Sequence, residues 1–399
     1  LATPNLKHSP TGLRRAALAA AAALLCAGLA LPGTAAASTR AARPSPTDVV
    51  LPPGFQQVLV ATGFYDPTLM TWAPDGRLFF SLQKGAIRIV KNGVLLTKPF
   101  LRLTNVAQKL AEGGMLGIAF DPNFATNHYV YVYYTNANPI VHDQVSRFVA
   151  KGDVAVLSSE TVIWSGDQVH DGYHLSGEIA FGSDGKLYIA QGDNDIGKNA
   201  QNLTNTWGKI LRINPDGTIP TDNPFYNSTT GPAQAIWAYG LRNPYTWAFR
   251  PGDNLMMIDD VGANTWEEVD QGAAGANYGW PATEGPTTDP RFVAPVYVYQ
   301  HVETPTGECA VIGGAFYDPP VDTFPDSYRD KYFFMDHCAG WIRTYDPATG
   351  TVDDFMTGAV KPTNLTFGPD GSLYYLSFPR GIASLYKIVP TDSSGAPSR

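Results

Sequence analysis

His170 and His174 stand just ahead of an apolar run that begins at Ile179, and His174 opens the segment HLSGEIAFGSDGKLYIAQGDND at 174–195. An imidazole entering a strand at the mouth of a cavity can act as a general base, because its pKa lies near neutral pH. Spacing alone does not choose between the two histidines. Three further segments carry groups that chemistry could use. In WAYGLRNPYTWAFRP (237–251) a guanidinium, Arg242, precedes a turn at Asn243-Pro244, and taken alone it reads as a solvated cap. DVGANTWEEVDQGAAGANYGWP (260–281) reads as a turn followed by acidic surface, closing on a packed corner at Gly279-Trp280-Pro281. EGGMLGIAFDPNF (112–124) begins with Glu112, by itself a loop carboxylate. These become a site only if the fold brings the four segments to one place.

The elements that must do so are strands. From about Leu51 the chain consists of short β-branched and aromatic runs separated by Gly, Pro, Asp and Asn, with hardly any helical period. One unit recurs six times, an apolar strand, a turn and a second apolar strand: LMTWAPDGRLFFS, IAFDPNFATNHYVYVYYT, IAFGSDGKLYIAQGD, TWAFRPGDNLMMIDD, GGAFYDPPVDTFPDSYRDKYFFMD and LTFGPDGSLYYLS. Asp-Gly and Gly-Asp supply residues that tolerate positive φ, as tight hairpins require. An aromatic residue closes the first strand of each unit (Trp72, Phe120, Phe181, Phe249, Phe316, Phe367). Their spacing of about 50 to 70 residues suits a four-stranded blade with insertions. The expected fold is all-β, a six-bladed β-propeller over residues 51–390. A strand near Gln57 is expected to close the ring beside SLYKIV (384–389), leaving few exposed edges. In such a ring the loops between blades gather at one end of the channel, and the four segments lie just before repeated strands.

The N-terminal segment has a different character. Arg14 and Arg15 precede an apolar run over residues 16–31, and Ala35, Ala36 and Ala37 follow, the pattern of a signal peptide (1–37) cut after Ala37. Residues 38–50 are expected as a flexible leader and 391–399 as a flexible tail. The formal net charge is −8, and loss of Lys7, Arg14 and Arg15 with the leader makes the mature chain more acidic still. That charge disfavours nucleic acid and anionic membrane as partners, and no membrane span is expected after cleavage. A secreted or periplasmic location exposes Cys309 and Cys338 to oxidising conditions. One disulfide between them is expected, stabilising the fold by roughly 3 kcal/mol.

Over residues 54–389 the chain resembles the PQQ-dependent soluble aldose/glucose dehydrogenases, the glucose/sorbosone dehydrogenase family. Placing Phe181, Asp184-Gly185 and Leu187-Tyr188 on the family's active-site pattern puts His174, and not His170, at the catalytic histidine. The resemblance implies that Arg242 and Asn243, in a Gly-Leu-Arg-Asn-Pro motif, face the cofactor. PQQ carries three carboxylates and an ortho-quinone, so a guanidinium can bind and polarise the quinone oxygen. It also implies that the main-chain carbonyls of Gly262 and Ala263 hold a cofactor-linked Ca²⁺, a cation that accepts such oxygens. Glu112 would then reach the pocket, while Tyr278 and Trp280 would shape a substrate entrance, where aromatic faces suit sugar C–H surfaces. The chain departs from the family pattern at Tyr173 and Ser176. Its cation set is altered too: Lys361-Pro362-Thr363 stands where glucose-oxidising members have Arg-x-Arg, and Cys338 where they have a PQQ-binding lysine. Lys361 can supply one cofactor-binding charge, without the bidentate fork of an arginine.

The reaction so implied is oxidation of an aldose at C1 to the lactone, with hydride passing to PQQ and electrons to an external acceptor. Two other classes keep the same scaffold. A non-catalytic propeller that binds carbohydrate or protein follows if the altered cations no longer hold PQQ. A calcium-dependent lactonase-type hydrolase would draw on Glu112, Asp193 and Asp195, which come from only two loops.

Overall fold

The computed structural model describes residues 49–302, 304, 307–379 and 381–391; the expected signal peptide and nearly all of the leader and tail lie outside them. Six antiparallel sheets follow one another along the chain. Their first strands are Pro67–Trp72, Met115–Phe120, Ile179–Phe181, Pro244–Phe249, Val311–Phe316 and Pro362–Phe367. These strands meet one another around a central axis. The molecule is the six-bladed β-propeller that the repeats imply, with blades numbered below in that order.

The ring closes through its N-terminal strand. Phe55–Phe64 is the outermost strand of blade 6 and pairs antiparallel with Ala383–Pro390, Phe55 facing Pro390 and Gln57 facing Ile388. Val50 adds a clasp to blade 5, exchanging two backbone hydrogen bonds of 3.0 Å with Thr357. Each pair of neighbouring blades encloses an apolar layer. Ile118 and Val130 of blade 2 meet Ile87 and Ile89 of blade 1, Ile210 and Ala238 of blade 3 meet Trp247 and Ile258 of blade 4, and Leu376 of blade 6 meets Leu78 of blade 1. A middle strand such as Leu187–Gln191 is therefore buried along its whole length, which is why its sequence runs apolar without alternation. Each large aliphatic side chain so buried contributes roughly 1.5–3 kcal/mol.

The repeated aromatic has the same cause. Trp72 meets Tyr374 edge-on with centroids 5.0 Å apart, Phe120 meets Phe79 at 4.9 Å, Phe181 meets Tyr131 at 5.1 Å and Phe249 meets Tyr188 at 5.0 Å. Each time the partner lies on the second strand of the preceding blade, so the aromatic wedges two blades together where the first strand ends. The Asp-Gly turns that follow are alike in detail. The Gly76, Gly185 and Gly371 amides each bond back three residues, with φ of 83°, 70° and 77°, values that favour glycine. A cavity of 610 Å³ opens at this end, lined by Trp72, Phe181, Phe249 and Phe367 among others. The candidate site lies at the other end.

Candidate functional site

First strands begin, and second strands end, at the mouth opposite the aromatic wedges. Glu112, His174, the Arg242-Asn243 pair and Lys361 all precede first strands, while Asp193 and Gly262 follow the second strands Leu187–Gln191 and Met256–Asp260. Blades 2, 3, 4 and 6 thus bring residues distant in sequence to one end of the ring.

His174 is 8% exposed. Its Nδ1 lies 2.7 Å from Oδ1 of Asp193 and 3.7 Å from Oδ1 of Asp195. An ionised carboxylate can only accept, so Nδ1 carries the hydrogen and the lone pair sits on Nε2. Asp193 is buried, and its second oxygen accepts Trp280 Nε1 at 2.8 Å. The His174 amide donates to Oε2 of Glu112 at 2.6 Å. Burial raises the Glu112 pKa, and His174, two backbone amides and Arg242 oppose that rise. His170, by contrast, is exposed, with its amide donating to Oδ1 of Asn194 at 2.8 Å.

The local backbone is held in rarely used conformations. His174, Ser176, Asn194 and Asp195 have φ of 53°, 50°, 56° and 56°, at a cost of about 1–2 kcal/mol each for His174 and Ser176 and less for Asn194 and Asp195, residue types that tolerate this region. The surrounding contacts fix them. A Cβ on Gly192 would lie 2.2 Å from the His174 carbonyl oxygen, so glycine alone lets the histidine loop lie against the end of the second strand. Such strain clusters where a site needs side chains aimed.

Arg242 and Asn243 are clamped from behind. Their amides donate to Asp260 at 2.9 and 2.6 Å, and burial still raises the Asp260 pKa to about 7 against those bonds. The Arg242 guanidinium donates to the carbonyls of Val261 at 2.8 Å and Gly262 at 2.5 Å and stands 5.7 Å from the Trp280 ring centroid. Its carbonyl accepts the Asp193 amide at 2.7 Å, which ties the two halves of the site together. The Asn243 side chain accepts from Ser176 Oγ at 2.9 Å.

The turn after Asp260 shows how main-chain oxygens come to face the opening. Oε1 of Glu284 accepts the amides of Ala263, Asn264, Thr265 and Trp266 at 2.9 to 3.3 Å. Glu267 takes the Gly262 amide at 3.1 Å. With five consecutive amides drawn to the half-buried Glu284 and the buried Glu267, the carbonyls of Val261 and Gly262 are left to meet a positive charge. A Cβ at Gly262 would sit 1.6 Å from the Trp266 carbonyl oxygen, so only glycine permits this fold of the chain.

His174, Arg242, Asn243, Gly262, Trp280 and Glu112 are brought into one connected network. Ala263 adjoins it through its Glu284 bond. Lys361 heads the first strand of blade 6 with φ of 46°, and its charge falls on His337, whose pKa is lowered first by burial and then by Lys361. Tyr278 does not join them. It is 3% exposed in the layer between blades 3 and 4, with its hydroxyl donating to the Gln271 carbonyl at 2.8 Å. Cys309 and Cys338 are disulfide-bonded. Asp336 gathers the amides of Cys309, Ala310, Cys338 and Ala339 around that bridge. The role of Asp193 as partner of His174 was not foreseen from the residues; the clue was its place at the end of the second strand of the blade that His174 leads.

A family model described as Glucose / Sorbosone dehydrogenase matches residues 64–330. The chain belongs to the glucose/sorbosone dehydrogenase family. It is similar to the aldose sugar dehydrogenase YliI of Escherichia coli, 28% identical over 81% of this chain and 90% of that protein. It is also similar to quinoprotein glucose dehydrogenase B of Acinetobacter calcoaceticus, 26% identical over 85% of this chain and 79% of that protein. Among solved structures, the PQQ-bound aldose sugar dehydrogenase of Streptomyces coelicolor superposes with a TM-score of 0.70 at 22% identity, covering 85% of this chain and 100% of that one; at that identity the likeness speaks for the fold. Among the described residues of this family member, no helix is long and apolar enough to cross a membrane, and no group of three or more His, Cys, Asp or Glu is placed to hold a metal.

Proposed function

We propose that the protein is a PQQ- and Ca²⁺-dependent sugar dehydrogenase that oxidises an aldose at C1. The observation that carries this reading is the buried His174–Asp193 pair joined, through the Arg242 carbonyl, to a guanidinium resting on two main-chain oxygens, in a chain of this family. The residues fit the group. The Gly262 carbonyl, one of the pair with Ala263 that the resemblance assigns to Ca²⁺, already accepts from a cation, the Arg242 guanidinium; main-chain oxygens of that kind suit Ca²⁺, and the guanidinium would turn from it toward a bound polycarboxylate. Arg242, with Lys361 at the head of the first strand of blade 6, would supply positive charge for a polycarboxylate. PQQ, when bound, supplies the quinone that takes up hydride.

The chain's own residues do the rest. Nε2 of His174 accepts the proton of the sugar C1 hydroxyl. Asp193 keeps Nδ1 protonated and stabilises the imidazolium that forms. Arg242 directs N–H donors toward developing negative charge on oxygen. Trp280, held by its bond to Asp193, offers a flat face beside the opening to sugar C–H groups. The disulfide fits an oxidising compartment, in keeping with export.

The test is reconstitution of the purified protein with PQQ and Ca²⁺, following dye reduction over a panel of aldoses. His174→Ala is expected to lower turnover by at least about 100-fold, as loss of a general base does, while PQQ affinity measured by calorimetry stays within about threefold. Absence of both turnover and PQQ binding in the unmutated protein rejects the proposal in favour of the non-catalytic propeller, and lactone hydrolysis without PQQ rejects it in favour of the hydrolase; PQQ binding without turnover of any aldose rejects aldose oxidation.

A further inference from the structure

Lys209 opens the strand Lys209–Ile213 and is fully buried. Its ammonium donates to three main-chain carbonyls, those of Trp207 at 2.6 Å, Ala200 at 2.9 Å and Asn199 at 3.0 Å. A lysine ammonium has three N–H groups and no acceptor, so three carbonyls satisfy it completely where water is absent. Asn199 and Ala200 lie midway along the loop 192–208 and Trp207 lies near its end. One ammonium therefore closes the loop on itself.

That loop carries the acid partner of His174. Nδ2 of Asn199 donates to the Asp193 carbonyl at 3.0 Å. The Ala200 carbonyl, besides serving Lys209, accepts the Gly240 amide at 3.1 Å, at the start of the turn that leads to Arg242. Nε2 of Gln201 donates to the Trp280 carbonyl and to Asn277, both at 2.8 Å. The Gly208 amide donates to the Gly192 carbonyl at 2.8 Å, pinning the loop's two ends together. The supports of Asp193, of the Arg242 turn and of Trp280 thus radiate from the few residues that Lys209 gathers.

We propose that Lys209 is a positioning residue: by collecting the carbonyls of Asn199, Ala200 and Trp207 on one ammonium, it sets the loop that aims Asp193 at His174 and at Trp280. Its catalytic consequence rests on the sugar-oxidising reading above, and its effect on the loop does not. Burial pulls the Lys209 pKa down to about 7, while the nearby carboxylates of Asp167 and Asp193 oppose that shift. The ammonium thereby also offsets the buried negative charge of the residue it positions.

Lys209→Met keeps the length of the stem and removes all three donors. In hydrogen exchange followed by mass spectrometry, peptides from 193–208 should exchange at least about tenfold faster in the variant, with peptides from blades 5 and 6 unchanged. With PQQ and Ca²⁺, kcat should fall at least about tenfold and KM for the aldose stay within about threefold, the pattern of a group that acts in the transition state alone. Asn199→Ala leaves the three lysine bonds in place and cuts the link to Asp193, so it should reproduce the fall in kcat without the faster exchange. Unchanged exchange in Lys209→Met overturns the proposal, as does faster exchange with unchanged kcat. Should the unmutated protein show no turnover, the sugar-oxidising reading fails by itself. The downfield Nδ1–H proton resonance of His174 then reports the aim of Asp193, and a resonance that Lys209→Met leaves in place overturns the proposal. Should Lys209→Met not fold, the same resonance and kcat in Asn199→Ala decide, unchanged values counting against it.

Discussion

Replacing Asp193 by Asn changes one atom's identity and removes one charge, and the geometry limits what the amide can do. Two donors converge on this side chain, His174 Nδ1–H at 2.7 Å and Trp280 Nε1–H at 2.8 Å, and an amide has one oxygen to offer them. If the oxygen faces His174, the NH₂ group opposes the Trp280 N–H. A buried donor pair left unsatisfied costs about 1–3 kcal/mol. If the oxygen faces Trp280, the NH₂ group donates to Nδ1, the hydrogen moves to Nε2, and the imidazole can no longer accept the sugar's proton. In either arrangement the imidazolium loses a charge-assisted hydrogen bond of about 1.5–3 kcal/mol. At 1.36 kcal/mol per tenfold, Asp193→Asn should lower kcat by about 10- to 150-fold through the charge alone, and further through the wrong tautomer. KM should change less than about threefold, because Asp193 faces His174 and Trp280 and is 1% exposed. The assay is steady-state dye reduction by the PQQ- and Ca²⁺-loaded protein. A kcat within about threefold of the unmutated value would falsify the assignment of His174 as a base held by Asp193.

Two further predictions concern the scaffold. Gly262→Ala drives a Cβ to within 1.6 Å of the Trp266 carbonyl oxygen, so the turn must move; thermal unfolding should show a Tm lower by at least about 5 °C, in the range of a severe core or backbone lesion. Stability should fall as pH rises from about 5 to 8. Burial raises Asp143 to about 6, Asp260 to about 7 and Glu178 to about 8. Between the unfolded carboxyl pKa near 4 and those values, the folded state holds more protons than the unfolded one. Each such group then costs up to about 1.4 kcal/mol of stability per pH unit as pH increases. Lys209, lowered to about 7, opposes this trend only above that pH. Urea midpoints at pH 5, 6.5 and 8 should therefore decline in order, and a rising series would contradict the assignment.

Much of the architecture could be read from residues because each blade repeats one local solution. The aromatic, the Asp-Gly turn and the second apolar strand recur since every blade must wedge against its predecessor and reverse its chain in the same way. The pairing of Phe55–Phe64 with Ala383–Pro390 follows from the need to close the ring. His174 and Arg242 were legible because their segments match a family pattern over many positions. Tyr278 and Trp280 were expected to shape a substrate entrance together, as the family resemblance implied. Gly279, with φ of 95°, turns the backbone between them, so Tyr278 enters the layer between blades and Trp280 reaches Asp193. Lys209 was overlooked because GKILRI reads as an ordinary strand with a lysine at its edge. Its burial depends on carbonyls presented by a loop, which no strand period reveals.

The acidic composition also has a meaning that charge counting missed. The run WEEVD was expected to be acidic surface, yet Glu267, Glu268 and Asp270 are all buried. Glu267 and Glu268 belong to a set of carboxylates that collect backbone amides behind the mouth, while both oxygens of Asp270 lack a hydrogen-bond partner among the described residues. Asp260 takes the amides of Arg242 and Asn243, Glu284 those of Ala263 to Trp266, Glu267 those of Gly262 and Val311, Asp336 those around the disulfide and Glu112 that of His174. Loops at such an opening cannot satisfy their amides by strand pairing, and a buried unpaired amide costs as much as a lost hydrogen bond. A carboxylate behind each loop meets that need with one side chain and turns the loop's carbonyls and side chains the other way, toward the channel. The same arrangement explains why burial raises several of these acids without expelling them. A carboxyl that has lost its proton is stabilised by the amides it holds, and one that keeps it loses less to burial. Removing any of these acids should therefore disturb the loop it supports before it disturbs the blade beneath.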